Sequence, residues 1–125
     1  MKIINNIEYI IYRKGMLIDD ENKSYYFQED LEYIGNINCF NFYAEKRVLI
    51  RGDEYIQGNQ FVGHNQFVEG NQYVAGDQYI MGNQLIKCNQ NILGDQTVHG
   101  FQSIGKLQFV YGYMNIMNID MDSPL

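Results

Sequence analysis

Few side chains in this chain could do covalent or acid–base chemistry. Histidine occurs twice, at His64 and His99, and cysteine twice, at Cys39 and Cys88. A general base or a metal site would have to be assembled from these with carboxylates. Two cysteines are too few for a disulfide framework and read as small buried residues. Arg51-Gly52-Asp53 matches an adhesion tripeptide, but Gly52-Asp53 also opens a repeat that explains it otherwise. The glycines recur at intervals of six and are not clustered as in a Walker or Rossmann phosphate loop. Thr97 is the only threonine, so the flat threonine array of an ice-binding solenoid is missing. We therefore expect no catalytic residue, no metal and no cofactor.

The chemistry that does recur is the amide. With Gly52 as the first position of a hexad, the third column reads Glu54 and then Gln60, Gln66, Gln72, Gln78, Gln84, Gln90, Gln96, Gln102 and Gln108. The fifth column runs from Ile56 to Ile116 and is always Val or Ile. The first is Gly except at His64, Cys88 and Lys106, and the second is Asn or Asp from Asp53 to Asp95. The fourth begins with Tyr55, Phe61, Phe67, Tyr73, Tyr79 and Leu85, then turns polar at Asn91, Thr97 and Ser103.

A period of six fits neither an α-helix nor a coiled coil. It fits a short strand plus a corner. Gln-[Phe/Tyr]-[Val/Ile] suits a strand, and Gly-Asn or Gly-Asp suits a corner through tolerance of left-handed backbone angles. Alternation along a strand puts columns three and five on one face and column four on the other. Column five never varies, so it is expected inside, with the glutamines beside it and the aromatics outside. A buried amide is costly unless paired, and identical amides stacked one coil apart, about 4.8 Å, can pair with one another.

On these columns residues 46–117 resemble the hexapeptide-repeat left-handed β-helix proteins. Ile56 to Ile116 match the inward aliphatic position. Asn59, Asn65, Asn71, Asn83 and Asn89, with Asp53, Asp77 and Asp95, match the corner. The family's small inward residue is here the glutamine column. The resemblance implies an all-β, single-domain, triangular left-handed parallel β-helix with three hexads per coil. The stacked rows would be Gln60/Gln78/Gln96, Gln66/Gln84/Gln102 and Gln72/Gln90/Gln108. Acyltransferases and carbonic anhydrases of that family work through histidine. Here His64 replaces a corner glycine and His99 lies in the unrestricted sixth column, so we expect them on different sides of the coil.

Residues 1–45 do not show the repeat and read as an acidic β-strand cap, with a turn at Asp19–Lys23. Residues 118–125, with Asp120, Asp122 and Pro124, read as a C-terminal cap or tail. Caps are needed because open solenoid ends polymerise. The net charge of −6 comes without a cluster of Lys and Arg, which argues against nucleic acid. The N-terminus lacks a clean apolar signal-peptide core, and no stretch is long and apolar enough for a membrane span. The expected location is the cytoplasm. The expected function is a non-enzymatic structural or interaction module, either a homo-oligomer or a binder that blocks a protein partner. Its interface would be Tyr55, Phe61, Phe67, Tyr73, Tyr79 and Leu85, and no small-molecule substrate is expected. The alternatives are an acyltransferase-like enzyme, which needs His64 or His99 at a cleft, and a glycan binder using Tyr55 and Tyr73.

Overall fold

The computed structural model describes residues 1–117, so the C-terminal cap expected at 118–125 lies outside the described residues, and among those described there are nineteen strands and no helix. The chain is a parallel β-solenoid of about six turns. From Gln60 to Val110 each strand is the three-residue Gln-x-[Val/Ile] unit, whose first and last side chains are the inward ones, and the last strand is Met114–Ile116. Three successive units close one coil, so each strand pairs in parallel with the unit 18 residues later: Gln60 with Gln78, Gln66 with Gln84, and Gln72 with Gln90.

Three sheets result. The eight-stranded sheet runs from the Lys2–Ile4 and Ile7–Ile11 strands through Gln60–Val62 to Met114–Ile116. The five-stranded sheet runs from Leu31–Ile34 through Gln66–Val68 to Gln102–Ile104. The six-stranded sheet runs from Asp19–Asp20 through Gln72–Val74 to Gln108–Val110. The core lies along their common axis. Ile56, Val62, Val68, Val74, Ile80, Ile86, Ile92 and Val98 are completely buried there.

The parallel stack reaches back past residue 46. Tyr25–Phe27 pairs with Phe42–Ala44, Leu31–Ile34 with Val48–Arg51, and Ile37–Cys39 with Glu54–Ile56. These pairings span 17 residues (Tyr25 to Phe42), whereas later ones span 18 (Phe42 to Gln60). The missing residue lies at the corner between Ile37–Cys39 and Phe42–Ala44, whose starts are five apart where the repeat spaces them by six. That one deletion shifts every earlier strand out of the hexad register. The inward positions there also change to Tyr25, Phe27, Leu31, Tyr33, Ile37 and Cys39.

Antiparallel pairing is confined to the N-terminal end, where Lys2–Ile4 folds onto Ile7–Ile11. Asn5 and Asn6 turn the corner with φ of 51° and 67°, the two left-handed residues that a tight hairpin needs. Ile10 and Ile11 then join the eight-stranded sheet beside Tyr25 and Tyr26. Ile18 is wholly buried, and its N–H donates to the Tyr33 hydroxyl.

The corners work differently from the left-handed reading. No corner residue of the repeat from Gly52 to Gly112 has positive φ. The glycines are needed because the coils stack so closely. A Cβ at Gly70 would lie 2.1 Å from Asp53 Oδ1, and one at Gly76 would lie 2.2 Å from Asn59 Oδ1. Those oxygens accept the N–H of Asn71 at 2.8 Å and of Asp77 at 2.9 Å in the next coil. Each Asn or Asp thus ties its coil to the following one, in most coils through the space that the next glycine leaves empty. His64 can carry a side chain because Arg47 stands below it in place of an Asn or Asp, and the His64 Nδ1 accepts the Asn65 N–H.

Candidate functional site

The six candidate interface residues all lie on outer faces, but the coil divides them among three. Tyr55 and Tyr73 share the six-stranded sheet, Phe61 and Tyr79 the eight-stranded sheet, and Phe67 and Leu85 the five-stranded sheet. They do not form one surface.

On the eight-stranded sheet the aromatics occupy each other. Tyr26 stacks on Tyr43, Tyr43 on Phe61 and Phe61 on Tyr79, with centroids 5.6, 4.6 and 5.7 Å apart. Tyr9 of the hairpin meets Tyr43 edge-on, and Lys2 lies over Tyr26. Ring faces are spent inside the row. Tyr55 and Tyr73 are further apart, at 6.4 Å and tilted by 41°.

Among the described residues the five-stranded sheet has no hairpin beside it, and it carries a groove of about 830 Å³. Its floor is the outward row Leu49, Phe67 and Leu85, in register one coil apart. One wall is Arg51, Glu69 and Lys87. Arg51 bridges Glu69 and Glu32, while Lys87 Nζ lies 5.7 Å from the Phe67 ring centroid, a cation–π contact. The other wall includes Arg47, Asn65, Asn83 and Phe101. The Arg-Gly-Asp triplet is absorbed by the scaffold, since Arg51 is ion-paired and Asp53 Oδ1 holds the next coil.

His64 and His99 sit on the same edge of the solenoid. His64 lies at the corner between Gln60–Val62 and Gln66–Val68, and His99 at the equivalent corner two coils later. The different sides expected from the repeat were a misreading, because their separation of 35 residues is one short of two coils. Two coil steps, roughly 9.6 Å, are still too far for one metal ion. His99 hydrogen-bonds the Tyr79 hydroxyl. Among the described residues no three His, Cys, Asp or Glu side chains are grouped to hold a metal. Cys39 and Cys88 are free thiols, and burial pushes Cys39 well above the usual thiol range.

Inside, the glutamine column forms a continuous polar axis. Gln60 to Gln96 are at most 2 % exposed. Each Nε2 from Gln72 to Gln108 donates to the Oε1 of the residue one coil below at 2.7–2.8 Å. Bonds within a coil, such as Gln72 to Gln66 at 3.0 Å, join the three rows. All of these amides point their donors toward the N-terminal end. There the axis stops on Glu54, fully buried, whose Oε1 accepts from Gln72 at 2.7 Å and from Gln66 at 3.3 Å. Sequence reading passed over Glu54, although it is the one acid in the glutamine column.

Comparison of the chain with protein-family models, with curated proteins and with solved structures finds no match. Among the described residues no helix is long and apolar enough to cross a membrane.

Proposed function

We propose that this chain is a non-enzymatic interaction module that captures a protein surface, its own or a partner's, in the groove over Leu49, Phe67 and Leu85. The observation that carries the reading is that this apolar floor lies outside the core on a sheet with no hairpin beside it among the described residues. Contiguous apolar surface with a polar rim is what protein interfaces bury. Tyr55 and Tyr73, the rings a glycan binder would use, are tilted by 41° to each other, which disfavours a flat sugar platform there. His64 and His99 are both engaged at the solenoid edge, which disfavours an acyltransferase.

We further propose that the solenoid winds as the left-handed hexapeptide class does; the three-hexad coil supports this, and an experimental structure with right-handed coils would contradict it. Two free thiols suit a reducing compartment such as the cytoplasm. The test of function is mass in solution by light scattering over a hundredfold concentration range, together with a photo-crosslinking residue at Phe67 in producing cells. A stable dimer or trimer, or a discrete protein adduct, supports the reading. A strict monomer that yields no protein adduct refutes it.

A further inference from the structure

We infer that Glu54 makes the seam between the glutamine axis and the apolar layer of Ile37, Phe42 and Val48 beneath it a proton-responsive element of the fold. The argument starts from the direction of the amides. Every glutamine donates toward the N-terminus, so the lowest layer must provide acceptors for Gln60, Gln66 and Gln72. The layer beneath offers none, because Glu54 sits over Ile37, Gln60 over Phe42 and Gln66 over Val48, all of them buried. A glutamine at position 54 would point a further donor at Ile37. A carboxylate ends the ladder without one.

The cost is a charge in an apolar layer. Glu54 Oε2 and Gln60 Nε2 are both buried and lack partners. None of the ion pairs among the described residues involves Glu54. The elements packed against it present Gln60, Gln66 and Gln72 amides, Ile37, Phe42 and Val48. The one titratable group among them is the Cys39 thiol, itself pushed up by burial and by Glu54. A cation is not a substitute partner, since the neighbouring amides turn N–H groups, not carbonyls, toward Glu54.

Burial pushes the Glu54 carboxyl up to about 7, with the Gln72 amide and then the Gln60 amide opposing. The folded value lies above the ordinary 4.5. Glu54 therefore adds most to stability below pH 4.5, and that contribution is lost as the pH rises through about 7. A difference of about 2.5 units corresponds to about 300-fold in the folding constant.

The test is urea unfolding of the full chain and of Glu54→Gln from about pH 5 to about pH 8.5, with His64 and His99 present in both. Between about pH 5 and about pH 8.5 the expected result is a folding constant that falls by about 75-fold more in the wild type than in the variant. Parallel pH profiles would overturn the inference. Should Glu54→Gln fail to fold, carbon NMR of the wild-type Glu54 carboxyl decides. A midpoint near neutrality supports the inference, and an ordinary glutamate midpoint overturns it.

Discussion

Gly76→Ala should destabilise the solenoid by about 2–3 kcal/mol, and the reason is steric rather than conformational. An ideal Cβ there lies 2.2 Å from Asn59 Oδ1, 2.7 Å from the Gly58 carbonyl oxygen and 2.9 Å from its carbon. The Asn59 side chain must give way, which stretches and weakens its 2.9 Å bond from the Asp77 N–H. Asp77 is exposed, so water recovers part of that bond and the loss is about 1 kcal/mol. The backbone contact to Gly58 remains too short, and overpacking of this kind costs about 1–3 kcal/mol. A reduced unfolded-state entropy returns only about 0.4–1 kcal/mol.

The chain itself holds the comparison. At Cys88 and Lys106, where the first column carries a side chain, the corresponding Asn bonds lengthen to 3.0 Å (Asn89 N–H to Asn71) and 3.2 Å (Leu107 N–H to Asn89). Urea melts of Gly76→Ala, Asn59→Ala and the double variant read the coupling. The double variant should lose about 1 kcal/mol less than the sum, since removing Oδ1 relieves one clash and leaves the other. A Gly76→Ala protein within about 0.5 kcal/mol of wild type, or strict additivity, would refute the stacking argument.

Other perturbations separate the axis from the outer face. Gln78→Leu should cost about 2–4 kcal/mol in urea unfolding, because it removes the shortest partner of the Gln96 donor and of the Gln60 acceptor and one partner of Gln84, all buried. Phe67→Ser should change stability by less than about 1 kcal/mol and keep the β-sheet circular dichroism spectrum, yet remove self-association or the protein adduct. Alkylation in native buffer should modify Cys88, half-buried at a corner, while sparing Cys39 until the chain unfolds.

The solenoid was legible because its inward positions are written in one register over many coils. Alternation and the unbroken Val/Ile column were enough to choose the inner face, and the three-hexad coil came with the family resemblance. Legibility ended at Phe40–Asn41, where one corner is a residue short. A single deletion dephases Ile37, Leu31 and Tyr25 from the columns while leaving the coils stacked. The corner glycines were readable as necessary, but their cause was not. Proximity between Gly76 and Asn59 depends on the spacing of coils, which one strand does not reveal. The outer residues were recognisable as outward. Their division into three rows follows once three hexads close a coil. That Phe67 and Leu85 lie in a groove needed the long side chains of Arg51, Glu69 and Lys87 beside them.

The central claim is a buried, hydrogen-bonded amide axis from Gln72 to Gln96 that holds the outer faces in place. Hydrogen exchange of the glutamine side-chain NH₂ groups, followed by NMR, tests it most directly. Gln72, Gln78, Gln84, Gln90 and Gln96 should exchange far more slowly than the off-axis Gln28 and Gln57. Exchange of the column amides as fast as those two would contradict the account.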